Sequence, residues 1–244
     1  MGEGARAFVN PRILIAGPES RRLYLAPYFE AVRLMGGEPE LGWPQPEALD
    51  DASALKQFLK RYQGVLLPGG PDIDPKFYGE KRRVELVEAE AGLDEGHLSL
   101  ARSALEFEWP TLAICRGMQV AAVAVGAGLF QDLPTDFPSD VDHNIREPKD
   151  RLAHEVEALD GSRLAALCGS NRFPVNSRHH QAVREGPVPD RVGPFHVVAW
   201  APDGVIEAME HPSHHFFIAV QWHPENLVKT SAPSAALFRA FLKA

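Results

Sequence analysis

The chain has 244 residues, 45% hydrophobic and 24% charged, with a formal net charge of −8. This composition fits a single globular domain spanning residues 1–244 with a sizeable core, and the acidic balance argues against nucleic acid as a partner, because phosphate binding needs a basic face. No apolar run nears the ~20 residues of a membrane helix and Met1–Asn10 lacks a signal-peptide core, so a cytoplasmic protein with no membrane partner is expected.

In chain order, Ile13-Leu14-Ile15-Ala16 reads as a buried strand, and Ser20 through Met35 carries apolar residues at helical spacing until Gly36-Gly37 stops it. Val65-Leu66-Leu67 is a second strand, ending in Pro68-Gly69-Gly70. A helix is expected from about Leu86 to Phe107, a strand over Thr111–Ile114, and an apolar helix from about Gly117 to Val125. Short continuous apolar strands separated by helices predict an α/β fold with a mostly parallel central sheet covered on both faces. Pro134–Asp150, rich in Asp and Pro, reads as a surface loop. Phe195–Ala201 and Val205–Met209 flank Pro202-Asp203-Gly204 and predict a hairpin. Phe216–Val220 is another buried strand, and Ser231 with Pro233 opens a last helix.

The two cysteines, Cys115 and Cys168, are too few for a disulfide framework, and no C-x-x-C spacing occurs. Cys115 lies between a strand and a helix with small residues, Ala113 and Gly117, two positions either side. That layout is a nucleophile elbow, and the helix N-terminus favours the thiolate. Cys168, at a helix end, reads as packing. A thiolate needs a proton-shuttling base held by a third group. His223 follows a buried strand at the end where open α/β sheets place their sites, and Glu225 two residues on reaches the same side of an extended segment.

Pro68-Gly69-Gly70 lets the backbone approach a ligand, and the Gly70 and Arg116 amides would form an oxyanion hole. His179-His180 lies in the polar stretch Asn176-Ser177-Arg178-His179-His180-Gln181. Adjacent histidines chelate one ion poorly, so this stretch is read as substrate-facing and no metal is assigned. His214-His215 reads as a solvated turn.

Taken jointly, Pro-Gly-Gly at 68–70, Ile-Cys-Arg-Gly-Met-Gln at 114–119 and Val-Gln-Trp-His-Pro-Glu at 220–225 resemble the class I glutamine amidotransferases. Gly69–Pro75, Tyr78-Gly79-Glu80, Asn176-Ser177, His179-His180-Gln181 and Ala201–Gly204 with Glu207-Ala208 narrow the resemblance to the gamma-glutamyl-gamma-aminobutyrate hydrolase group of peptidase family C26. Ala113 stands where many relatives have Gly, Trp222 where Phe is common, and the stretch 136–150 matches nothing in the pattern.

The resemblance implies a flavodoxin-like three-layer α/β/α fold. It implies Cys115 as nucleophile, His223 as base, Glu225 as its orienter, and Gly70 and Arg116 as oxyanion donors. Substrate contacts fall to Gln119, Asn176, Ser177, His179 and His180. The activity implied is hydrolysis of a small-molecule γ-glutamyl amide without metal or organic cofactor, with a homodimer left open. The competing readings are a glutaminase subunit serving a synthetase partner and a non-catalytic ligand-binding relative. The intact constellation disfavours the latter.

Overall fold

The structure, a computed structural model, describes residues 10–184 and 190–244. The expectation for the N-terminus concerns Met1–Asn10, of which all but Asn10 lie outside the described residues.

Parallel strands β1 (Arg12–Ala16), β2 (Glu38–Gly42), β3 (Gly64–Leu67), β4 (Thr111–Ile114) and β12 (Phe217–Val220) stand in the order β2-β1-β3-β4-β12. An antiparallel wing continues from β12 through β11 (Ile206–Glu210), β10 (Phe195–Trp200), β6 (Leu152–Ala158) and β7 (Arg172–Asn176). The short β9 (Arg191–Val192) pairs with β10, and β5 (Leu129–Phe130) pairs with β8 (Ala182–Val183) in a separate ribbon.

Helices cover both faces. Ile13, Ile15, Leu66, Leu112, Ile114 and Ile218 share a core with α1 (Ala26–Leu34), α6 (Arg163–Cys168) and α7 (Ala232–Phe241). Leu14, Val65, Leu67, Ala113, Phe217 and Ala219 share the other with α2 (Ala52–Leu59), α3 (Leu93–Glu106) and α4 (Arg116–Ala124). Alternate residues of one strand thus enter opposite cores, which is why these strands read as unbroken apolar runs. Full burial of each such Ile, Leu or Val contributes about 1.5–3 kcal/mol. The layers are those of the expected three-layer α/β/α fold. Among the described residues no helix is long and apolar enough to cross a membrane.

Two expected helices are shorter than their sequence pattern. The segment from Ser20 forms only a turn over Glu19–Arg21, and α1 begins at Ala26 with Pro27 in its first turn. A proline there loses no hydrogen bond, and Leu23 upstream is 91% exposed. The helix expected from Leu86 starts only at Leu93, because Gly92 at φ +80° takes the left-handed conformation that interrupts helical geometry. The 202–204 turn closes the expected hairpin between β10 and β11, with Gly204 at φ +91°. The 134–150 stretch opens inside the short α5 (Leu133–Asp136) and carries His143 into a buried cluster, so it is more than a surface loop. His214 is buried with Nε2 donating to the Ala104 carbonyl at 3.3 Å, so it is not the solvated residue expected.

Candidate active site

The carboxyl ends of β3, β4 and β12 lie side by side, and each runs into one motif. Register pairs Leu67 and Ala219 with Ala113. Gly69, Cys115 and Gln221, each two residues further on, therefore come out at the same edge. Open α/β sheets bind ligands at this edge.

Cys115 adopts φ 52° and ψ −108°, a left-handed conformation for a non-glycine residue, costing about 1–3 kcal/mol. Its amide donates to the Val220 carbonyl at 2.7 Å, tying the bend to the next strand. Gly117 explains the need for a small residue after the bend: a Cβ there would lie 2.1 Å from the Leu67 carbonyl oxygen. The elbow fits only because the helix backbone passes directly against β3.

His223 is buried, and its Nδ1 donates to Glu225 Oε1 at 2.7 Å. The imidazole stands beside Cys115: a Cβ on Gly69 would touch both His223 Cε1, at 2.9 Å, and Cys115 Cβ, at 3.5 Å. Burial pushes the imidazolium down, but the charges of Glu225 and then Cys115 override it and raise its pKa to about 10. The Glu225 carboxylate also accepts from Asn226 Nδ2 at 2.9 Å, which fixes its orientation.

Gly69 supports the arrangement from below. A Cβ on it would meet Tyr28 Oη at 2.7 Å and His223 Cε1 at 2.9 Å. Its amide donates to Tyr28 Oη at 2.9 Å, so the neighbouring Gly70 is the one left facing the cleft. Among the described residues neither the Gly70 amide nor the Arg116 amide has a backbone partner. Arg116 heads α4, where amides have no intrahelical acceptor. Its side chain turns into the protein, where Nη2 pairs with Asp94 and Nη1 donates to His97 Nδ1. His97 in turn donates from Nε2 to the Ala16 carbonyl at 3.1 Å. Burial and then the adjacent Arg116 charge hold His97 well below its ordinary pKa, so it stays the neutral acceptor this chain requires.

A cleft of about 390 Å³ opens over Cys115, walled by Gly70, Gln119, Asp72, His179 and His180 and rimmed by Arg21, Arg146 and Arg178. Gln119 Nε2 donates to the Gln181 carbonyl at 2.9 Å and to Gln221 Oε1 at 3.3 Å. His180 bridges two carboxylates, Asp72 through Nε2 at 3.0 Å and Asp132 through Nδ1 at 3.2 Å.

Asn176 and Ser177, expected to touch substrate, are fully buried and stand behind the wall. Asn176 bonds both backbone groups of His223, and Ser177 Oγ donates to the His143 carbonyl at 3.0 Å. Their polar side chains serve the protein's own backbone because strand β7 delivers them to the far side of the His223 segment. Trp222 likewise packs inward against Phe173, ring centroids 5.8 Å apart, and forms no part of the cleft wall. Cys168 is half-buried at the end of α6, and burial pushes its thiol up to about 12, as suits a packing residue.

Sequence reasoning missed Tyr28, Arg21 and the Asp94–His97–Arg116 chain. Tyr28 and Arg21 fall in a segment whose only sequence signal was helical periodicity. Arg178 sits inside the motif already singled out.

The peptidase C26 family model matches residues 16–225. The gamma-glutamyl-gamma-aminobutyrate hydrolase of Escherichia coli K12 is 35% identical over 225 residues, covering 89% of this chain and 84% of that protein. A Mycobacterium tuberculosis protein named for the glutamine amidotransferases is 37% identical over 221 residues, covering 90% of this chain and 66% of its own length. Among solved structures, the glutaminase domain of Trypanosoma brucei CTPS superposes with a TM-score of 0.66 at 19% identity, covering 96% of this chain and 94% of that one. A glutamine amidotransferase of Thermotoga maritima gives 0.60 at 13% identity, covering 97% and 100%. The chain belongs to the peptidase C26 family of glutamine amidotransferase-like hydrolases.

Proposed function

We propose that this chain is a cysteine-dependent hydrolase that cleaves γ-glutamyl amide bonds, such as that of γ-glutamyl-γ-aminobutyrate, to glutamate and amine. The observation that carries this reading is Cys115 at the floor of a polar cleft, with His223 packed beside it over Gly69 and the His223 Nδ1 2.7 Å from Glu225. The name of the Escherichia coli relative supports the substrate class.

In this reading the Cys115 thiolate attacks the amide carbon, and the oxyanion is met by the Gly70 and Arg116 amides. The His223 imidazolium protonates the leaving amine, and a γ-glutamyl thioester on Cys115 remains. His223, now neutral, takes a proton from water, whose attack on the thioester releases glutamate and restores the thiolate–imidazolium pair. Glu225 holds the imidazole in the tautomer that this exchange needs. Gln119, with its amide nitrogen engaged inside the protein, offers Oε1 to the glutamyl ammonium, and the rim arginines supply charge for the glutamyl carboxylate. His179 and His180 belong to the wall that the leaving amine meets.

The test is a panel of γ-glutamyl amides assayed with the unmodified chain and with Cys115→Ala, together with mass spectrometry of the quenched enzyme. Turnover and a γ-glutamyl adduct on Cys115 are expected for the unmodified chain, and neither for the variant. Normal hydrolysis by Cys115→Ala would overturn the mechanism. Activity on glutamine appearing only with cell extract would instead indicate a glutaminase that serves a synthetase.

A further inference from the structure

Behind the cleft wall, His143, His154 and His179 converge on Glu207, a carboxylate with no solvent exposure. Glu207 Oε1 lies 3.5 Å from His154 Nε2 and 3.7 Å from both His143 Nδ1 and His179 Nε2. These separations are too long for hydrogen bonds. Among the described residues both Glu207 oxygens, His154 Nε2 and His179 Nε2 have no hydrogen-bond partner. A buried carboxylate left so costs several kcal/mol.

The other nitrogen of each ring settles what faces Glu207. His143 Nε2 donates to Asp203 Oδ2 at 3.0 Å, His154 Nδ1 to the Glu155 carbonyl at 3.1 Å, and His179 Nδ1 to the Gln181 carbonyl at 2.9 Å. Each ring proton is therefore spent outward, and a lone pair points inward. Ser177 Oγ lies 3.0 Å from the His143 carbonyl and 3.3 Å from His143 Nδ1, and its single proton goes to the nearer carbonyl, so the Nδ1 lone pair is not taken by it. Three lone pairs thus surround a buried carboxyl group, whose pKa burial raises to about 7, an arrangement that needs either a proton or a metal cation among them. A carboxylate or carbonyl behind each ligating imidazole is the usual outer shell of a metal site.

We propose that His143 Nδ1, His154 Nε2 and the Glu207 carboxylate bind a divalent first-row transition ion of the Zn²⁺ class, with His179 beside the remaining position. The ligand atoms of the first three lie within 4.8 Å of one another. Metal–ligand bonds of about 2.0–2.2 Å in a tetrahedron place ligand atoms roughly 3.3–3.6 Å apart, close to the observed spacing. Nitrogen and carboxylate donors suit such an ion better than Mg²⁺ or Ca²⁺, which prefer all-oxygen shells. The local spacing that argued against a metal at His179-His180 does not bear on this set, because its members come from three separate segments. The ion joins the 136–150 stretch, β6 and β11. It staples the antiparallel wing to the wall of the cleft.

The experiment measures metal on the full chain, in a Cys115→Ala background so that an ion on the reactive thiol is not counted. Metal content after purification, then Zn²⁺ titration of the stripped protein against a chromophoric chelator, should give one ion per chain. Glu207→Gln and His154→Gln should each weaken binding by more than about 100-fold, and Asp203→Asn, which removes only the outer partner of His143, by about 10–100-fold. X-ray absorption should show a nitrogen and oxygen shell without sulfur. No binding at micromolar Zn²⁺, a sulfur ligand, or unchanged affinity in both ligand variants would overturn the proposal. If the variants fail to fold, stoichiometry and the absorption spectrum of the parent decide alone. None of these readouts depends on hydrolysis.

Discussion

Asn176 holds both backbone polar groups of His223: its Oδ1 accepts from the His223 amide at 3.0 Å, and its Nδ2 donates to the His223 carbonyl at 3.1 Å. The same Nδ2 donates to the Lys149 carbonyl at 2.8 Å. A residue expected to greet substrate is fully buried and fixes the segment that carries His223, the proposed base. Asn176→Ala should leave these buried groups unpaired, costing about 1–3 kcal/mol of stability. It should also displace the imidazole and lower kcat by about 100-fold with little change in KM. Thermal unfolding and steady-state kinetics check both, and a KM effect alone would return Asn176 to the substrate.

Glu225 governs the pH range of the site. His223 is raised to about 10 from its ordinary 6.5, so the imidazolium persists into alkaline solution and is lost only as pH rises through about 10. The stability it contributes is correspondingly full below pH 6.5 and gone above about 10. kcat/KM should fall on the alkaline side as the acid for the leaving amine disappears. Glu225→Gln removes the leading raising charge while burial still opposes the imidazolium. The alkaline limb should therefore move to lower pH by about 1–3 units. The rate of Cys115 alkylation, followed against pH, gives the same shift without turnover.

Gly69 and Gly79 separate contact from conformation. A Cβ at Gly69 would press on Tyr28 Oη and His223 Cε1, whereas one at Gly79, at φ +75°, meets nothing within 4 Å. Gly69→Ala should reduce kcat by about 100-fold through the displaced imidazole. Gly79→Ala should cost about 1–2 kcal/mol of stability from the left-handed backbone and leave kcat unchanged. Assay and melting of the two variants side by side distinguish these outcomes.

Asp94 is the counter-charge of the fully buried Arg116 side chain. Asp94→Ala strands that guanidinium and should destabilise the protein by about 3–5 kcal/mol. Because Arg116 also carries a proposed oxyanion amide, residual activity in folded protein should fall as well. Chemical denaturation of the variant measures the first effect.

The parallel half of the sheet was legible because each of its inner strands is buried on both faces and so leaves an unbroken apolar run. The antiparallel strands β6 and β7 left no such mark: β6 is exposed and half-buried along much of its length, and its alternation is confined to the four residues Glu155–Ala158. The ends of the helices before Ala26 and Leu93 were overstated because periodicity continues through segments that Pro27 and Gly92 exclude from the helix.

The roles proposed for Cys115, His223, Glu225 and Gly70 could be read from sequence because each needs a residue type at a fixed offset from a strand end, and that offset is local. What lies on the other side of a residue is not local. Whether Asn176 faced substrate or the His223 backbone, where the Arg116 guanidinium went, and that His143, His154 and Glu207 would meet were decided by how distant strands register and pack. One step of register turns a side chain from one face of a sheet to the other.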